Sequence, residues 1–268
     1  MKLNIMLFLP VVSFLTLACQ PVQTTETIYN GSNQEGVIGG VEVTSIDAVS
    51  RSTVGIYSKR MQSICTGTLI AENMVLTAAH CIDVLQPETM LVYFGSDMRT
   101  ATPLMQRDVA KVLVHPLYDG TKAEDMYDVA VLKFYDNLPQ GYAPAKLLND
   151  GSKLTGARFT VAGYGLNWAW GIKKGSGVLR KANLKLKRVQ YGATEMILDQ
   201  SLRKGICSGD SGGPAYLEID GELHVAGVAS RGDSIPLPLM PDCFILSVYG
   251  RVDKHLQWIE EAMRDLQF

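Results

Sequence analysis

The chain carries no apolar run long enough to cross a bilayer comfortably: its longest, Ile5 to Leu17, is broken by Pro10 and reads as an export signal. It also lacks a surplus of either charge. With 25 basic and 27 acidic residues the net charge is -2, which leaves no electrostatic footprint for nucleic acid, and none is expected as a partner. No helical pattern is long enough to alternate with strands as βαβ units require, so a parallel α/β fold is excluded. Internal repeats and low-complexity runs are absent too.

What the chain has in quantity is short strand-like runs. Its 268 residues, 47% hydrophobic with 25 glycines, suit one globular unit rich in turns. β-branched and aromatic runs bounded by Gly, Pro, Asn and Asp recur at Val54 to Tyr57, Met90 to Phe94, Val109 to Val114, Val129 to Phe134 and Phe159 to Ala162. More follow at Leu184 to Val189, Ala215 to Ile219, Leu223 to Ser230 and Ile245 to Val252, which predicts an all-β sandwich or barrel. Only the end differs. Val252, Leu256, Ile259, Met263 and Leu266 recur at three- to four-residue steps, predicting one amphipathic C-terminal α-helix capped by Asp253.

The first 18 residues read as a signal peptide with Lys2 as its positive start. Leu15 to Cys19 resembles a bacterial lipoprotein signal, in which the cysteine after a small residue is lipidated; cleavage after Ala18 by an ordinary signal peptidase is the alternative. Five cysteines in an exported chain leave one over after pairing, and lipidation of Cys19 would account for it, with Cys65, Cys81, Cys207 and Cys243 left for two disulfides. Residues 19 to 36 are polar and poor in large aliphatics, so they read as a linker or pro-segment. The folded domain is expected from 37 to 268. The protein is expected to be exported, whether periplasmic, envelope-anchored through Cys19 or extracellular.

The strongest local chemical signal is Gly209-Asp210-Ser211-Gly212-Gly213-Pro214. Acyl transfer by a serine needs backbone N–H donors aimed at a developing oxyanion, and glycine lets the chain bend so that the N–H groups of Gly209 and Ser211 converge. Taken alone, such a run is an ordinary turn. It has company. His80 follows a strand-like run and adjoins Cys81, whereas His115, His224 and His255 read as surface or core fillers. Asp128 heads the apolar strand that follows it, where its carboxylate could be buried against an imidazole and fix the tautomer. Asp125 is a nearby rival without an apolar run immediately after it.

These three segments, in the order His, Asp, Ser, resemble the chymotrypsin and trypsin family. The likeness extends from Val37-Ile38-Gly39-Gly40 through Thr66-Gly67-Thr68-Leu69-Ile70, His115-Pro116 and Gly163-Tyr164-Gly165 to the helix after Arg251. It implies two packed six-stranded antiparallel β-barrels with the site in the cleft between them. It also implies a serine endopeptidase acting through an acyl-enzyme, with His80, Asp128 and Ser211 catalytic and Ser230 supporting the buried aspartate. No metal or organic cofactor is required. Protein or peptide substrates are the expected partners. The same resemblance pairs Cys65 with Cys81 and Cys207 with Cys243. It makes Val37 the N-terminus of an activated form whose new α-ammonium pairs with Asp210, so that an activating protease is a further partner. Gly205 stands where trypsin-like members carry an acidic pocket base; with Ile206, Gly232 and Ser247 it points to an apolar P1 residue of small to medium size. Arg231 replaces an aromatic residue common in the family, which alters the neighbouring subsites in favour of acidic side chains. The competing class is a catalytically silent protease fold used for binding at the cell envelope.

Overall fold

Strands β2 (Thr53–Ser58) and β3 (Ser63–Ala71) are buried along most of their length, as expected of strands whose two faces meet a barrel interior and a neighbouring layer. A computed structural model describes residues 37–167, 174–200, 204–233, 243 and 246–267. The signal peptide, Cys19 and the polar stretch 19–36 lie outside the described residues.

The remaining strands of the first half are β1 (Val41–Glu42), β4 (Met74–Thr77), β5 (Met90–Tyr93), β6 (Gln106–Val114), β7 (Ala130–Phe134) and β8 (Lys146–Leu147). Those of the second are β9 (Arg158–Gly163), β10 (Arg180–Tyr191), β11 (Glu195–Asp199), β12 (Pro214–Ile219), β13 (Glu222–Asp233) and β14 (Leu246–Arg251). The order β2-β3-β4-β7-β6-β5 closes into an antiparallel barrel. A second six-stranded ring runs β9-β10-β11-β14-β13-β12 and closes where Ala215 of β12 pairs with Val161 of β9. β1 adds to β10, and β8 pairs in parallel with β13. Closure leaves few exposed strand edges, the usual hazard of an all-β chain.

Each barrel has its own apolar filling. Val54, Leu69, Met90 and Phe134 lie in one; Phe159, Leu184, Leu198 and Tyr249 lie in the other, joined there by Val37. Burying side chains of this size contributes roughly 1.5 to 3 kcal/mol each. Polar clasps join the barrels: the Tyr216 hydroxyl lies 2.7 Å from Ser52 Oγ and 3.1 Å from Thr53 Oγ1, and the Tyr164 hydroxyl donates to the Gly95 carbonyl at 2.7 Å.

Helix α1 (Val252–Gln267) packs on the first barrel, and Lys133 Nζ of β7 donates to its last carbonyls, Leu266 O at 2.7 Å and Gln267 O at 3.1 Å. A lysine there satisfies carbonyls that have no partner within the helix and complements its dipole. The sequence stripe is corrected in detail. The buried positions are Val252, His255, Ile259, Ala262 and Leu266, while Leu256 and Met263 are half-buried. Asp253 is not the cap: the helix begins one residue earlier, and Asp253 accepts from Arg251 Nη2 at 2.6 Å. Val252 likewise belongs to the helix and not to the strand before it.

Candidate active site

β4 and β7 are antiparallel neighbours, with Thr77 opposite Ala130. Residues just past the end of β4 and just before the start of β7 therefore emerge side by side. His80 sits in the single 3₁₀ turn Ala79–Cys81, and Asp128 precedes β7 by two residues. Asp128 Oδ2 lies 2.7 Å from His80 Nδ1, and Asp128 Oδ1 accepts from the His80 backbone N–H at 3.0 Å. From the second barrel Ser230 Oγ donates to the same Oδ2 at 2.7 Å. Ser230 is the unpaired residue of a bulge in β13, between Ala229, opposite Tyr249, and Arg231, opposite Val248. Such an extra residue re-aims its side chain off the regular alternation.

The Asp128 side chain is 1% exposed and that of His80 34%. Burial alone would raise the Asp128 carboxyl, but the hydrogen bonds from the His80 ring, Ser230 and the His80 N–H, with the imidazole's charge, outweigh it and hold the group below its ordinary value. An ionised Asp128 makes Nδ1 the donor, which leaves Nε2 of a neutral ring as an acceptor. Asp125 is engaged elsewhere. It accepts from the N–H groups of Ala193 at 2.8 Å and Thr194 at 2.7 Å, tying its loop to the turn before β11.

Ser211 is half-buried, and its carbonyl accepts from Thr66 N–H at 2.8 Å and lies 3.6 Å from Cys81 Sγ, next to His80. Among the described residues no hydrogen bond joins the Ser211 hydroxyl to the ring; in free enzymes such contacts often tighten only around substrate. The loop's shape depends on its glycines. Gly209 and Gly212 have φ of 99° and 79°, and a Cβ at Gly212 would meet Thr77 Oγ1 at 2.0 Å. Thr66 Oγ1 braces the turn by donating to the Gly209 carbonyl at 2.8 Å while accepting from Tyr164 N–H at 3.0 Å. The N–H of Asp210 goes to Cys207 O and that of Gly212 to Ala229 O. Those of Gly209 and Ser211 donate to no acceptor among the described residues.

Asp210 is fully buried. Its carboxylate accepts from Gly165 N–H at 2.8 Å and Cys207 N–H at 2.9 Å, yet burial pushes its pKa up to about 7. Val37, also fully buried, packs into the same barrel's core, and the Ile38 carbonyl accepts from Gly205 N–H at 2.9 Å.

Two disulfides flank the site, Cys65–Cys81 beside His80 and Cys207–Cys243 in the second barrel. Cross-linking a loop of about 15 residues, as the first does, contributes on the order of 3 kcal/mol by the chain-entropy estimate. Cys65, Cys81 and His80 cluster within 4.8 Å, but both sulfurs are bonded to each other, so the group offers no thiolate to a metal.

Around Gly205 the structure adds a residue that the sequence reading missed. The Gln200 carboxamide donates to Ile206 O at 2.8 Å and to Cys243 O, and its oxygen accepts from the buried Ser247 hydroxyl. A Cβ on Gly205 would meet Gln200 Cδ at 2.1 Å. Gly205, Ile206 and Ser247 thus converge on one amide, while Gly232 lies 4.0 Å from Ile206 O, measured from where its Cβ would stand. Thr66 and Glu195 were missed as well. Glu195, 2% exposed, holds Arg231 with a fork of 2.7 and 2.9 Å. Thr66 lies in a segment that carries the family likeness, but its bracing role was not read from it; a buried Gln or Glu in a strand has no local signature. His115 and His255 pack with Tyr127 and Trp258 away from this chemistry, and His224 is half-buried on β13.

Residues 37–259 match the sequence model of the Trypsin family. Among curated relatives, "Trypsin" of Phaedon cochleariae is 29% identical over 251 residues, covering 89% of this chain and 92% of that protein. "Serine proteinase stubble" of Drosophila melanogaster is 31% identical over 75% of this chain, and "Coagulation factor XI" of Bos taurus 27% identical over 84%. The alignments span 27% and 37% of those two longer proteins.

Proposed function

We propose that this chain, which belongs to the trypsin family and is a serine endopeptidase, cuts peptide bonds with Ser211 as nucleophile, His80 as general base and Asp128 as the group that orients it. The observations that carry this assignment are the hydrogen-bonded run Ser230–Asp128–His80 and the N–H groups of Gly209 and Ser211, which have no acceptor among the described residues. Ser211 Oγ attacks the scissile carbonyl while His80 Nε2 takes its proton, and the oxyanion is held by the two N–H groups. Collapse of the tetrahedral species expels the amine, which receives that proton from His80, and leaves an acyl-Ser211. Water, activated by the same imidazole, then releases the acid.

The P1 pocket is read as apolar and shallow. Both amide protons of Gln200 are engaged by carbonyls and its oxygen by Ser247, so among the described residues the floor offers neither a free amide donor nor a carboxylate. A P1 Arg or Lys would be buried without a counter-charge, which is costly, whereas a small or medium apolar side chain gains roughly 1.5 to 3 kcal/mol. Two measurements test this reading. A fluorophosphonate probe is expected to label Ser211, and a peptide library is expected to show cleavage after residues such as Ala, Val or Leu. Absence of labelling would mark a fold used only for binding, and cleavage chiefly after Arg or Lys would overturn the pocket assignment.

The residues before Val37 are proposed to be a signal over 1–18 and a pro-segment or tether over 19–36, with the protease domain at 37–268. Export suits the two disulfides. Lipid on Cys19, a bacterial trait by its resemblance although the relatives named above are animal proteins, would hold the uncut precursor on a membrane. Both disulfides join residues at or beyond Cys65, so a cut before Val37 would free the enzyme. Glu35 and Gly36 precede that bond, which disfavours a trypsin-like activator and calls for a different protease. Fractionation with N-terminal sequencing is expected to find soluble active material beginning at Val37; active enzyme kept in the membrane with residues 19 to 36 attached would rule out release.

A further inference from the structure

A pocket of about 470 Å³ opens beside Ser230, the residue that supports Asp128, and is lined by Lys122, Arg188, Arg231, Tyr191 and Gly232 with an apolar wall that includes Leu246. Its charge is one-sided: three cations and, among its described lining residues, no carboxylate. The cations are not equivalent. Arg231 is locked by the Glu195 fork and by donation to the Ala123 carbonyl, so it forms a fixed wall whose charge is matched from behind by a buried acid. Lys122 and Arg188 are exposed; Lys122 Nζ lies 5.9 Å from the centre of the Tyr127 ring, and its charge also helps to lower the pKa of the nearby Asp119. The guanidinium carbons of Arg188 and Arg231 both lie 5.9 Å from the centre of the Tyr191 ring, which keeps two planar cations against one aromatic body.

Such a lining suits a carboxylate on a short aliphatic stem: the methylenes meet the Leu246 wall and the oxygens meet Lys122 and Arg188. Gly232 lines this pocket and is also assigned to the P1 pocket. An extended peptide advances about 3.3 Å per residue, so a chain whose P1 side chain lies on one side of Gly232 brings a residue two or three positions further toward its N-terminus to the other side.

We propose that this pocket is an anion-selecting subsite that takes an aspartate or glutamate side chain of the substrate on the N-terminal side of the scissile bond. The proposal rests on the protease reading above and extends it from P1 to the residues before it. Two exposed cations acting on one partly desolvated carboxylate are expected to change kcat/KM by on the order of tenfold, an effect that added salt weakens.

The test uses processed enzyme and peptide substrates that share one small apolar P1 residue and carry Glu, Gln or Lys two and three positions before it. Glu is expected to exceed Gln by about tenfold in kcat/KM and Lys to be the poorest. In the double variant Lys122→Gln, Arg188→Gln, whose changes lie on the surface, the Glu-to-Gln ratio is expected to fall to within about twofold. An equal ratio in both proteins, or no preference in the wild type, would overturn the proposal. Fluorescence anisotropy of the Glu and Gln peptides with the Ser211→Ala protein requires no turnover. It decides the subsite even if no peptide were cut and the protease reading failed.

Discussion

Replacing Ser211 by alanine is expected to lower turnover on the order of 10⁶-fold, the size of effect that removal of a triad nucleophile has in unrelated serine proteases. The fold should survive. The change removes one half-buried hydroxyl that has no hydrogen-bond partner among the described residues, whereas the loop's brace runs through the backbone: Thr66 N–H to Ser211 O, and Gly212 N–H to Ala229 O. A far-ultraviolet spectrum and a urea midpoint indistinguishable from wild type are expected beside the lost activity. A Ser211→Ala protein that kept even a tenth of wild-type turnover would end the assignment. The comparison with Asp128→Asn is informative. That variant keeps the serine but removes the charge on which the Nδ1–H tautomer of His80 depends, so its loss should be large yet smaller.

The strands were legible in the sequence in part, and so were the motifs from which the candidate site is proposed. Nine strand-like runs were legible because β-branched and aromatic residues bounded by turn formers carry their own signal, and each falls on a strand of the structure. β3 was not predicted from periodicity, because Ser63, Cys65, Thr66 and Gly67 are small or polar and the strand is buried by its tertiary setting. β11, five residues beginning with Glu195, looks polar at its start, since its glutamate is buried through partners distant in sequence, Arg231 and the N–H groups of Asp125 and Met126. In the last helix the one-residue shift of the buried face has a specific cause. His255 is counted as polar by sequence, yet it packs against His115 and Tyr127, and burial lowers its pKa to about 4. The candidate site residues were proposed from local patterns, Gly209 to Pro214 and the setting of His80 and Asp128. Gln200 and Glu195 were not, since each matters through a partner 36 or 47 residues away.

Cleavage before Val37 is expected to raise kcat/KM by about 10²- to 10³-fold, the size of effect that one well-placed oxyanion donor carries. Asp210 lies between the two donor N–H groups, and in the uncut chain its buried carboxyl has, among the described residues, only backbone N–H partners and the more distant charge of Arg180. Val37 in that chain is a β-branched residue at φ 40°, a strained conformation that a chain beginning at Val37 no longer needs. The cut is expected to relieve the strain and to supply an α-ammonium to the barrel whose core holds Val37. Stability should follow with a definite sign. In the uncut chain the folded pKa of about 7 lies above the ordinary carboxylate value, so below pH 4 the group contributes no difference. Between pH 4 and 7 the unfolded chain ionises while the folded one keeps its proton, and folding is disfavoured progressively by up to roughly 4 kcal/mol. Pairing with the ammonium removes that penalty. The cut chain is therefore expected to show a higher urea midpoint than the uncut one at pH 7, with the gap narrowing toward pH 5. Activity of the cut form should fall at alkaline pH as the ammonium loses its proton. The measurement replaces residues 32 to 36 by the recognition sequence of a specific protease, so that the cut falls before Val37, and follows kcat/KM and urea unfolding on both forms. An Asp210→Asn version should gain no activity on cutting. An uncut chain as active as one beginning at Val37 would remove the zymogen reading and leave residues 19 to 36 as a tether alone.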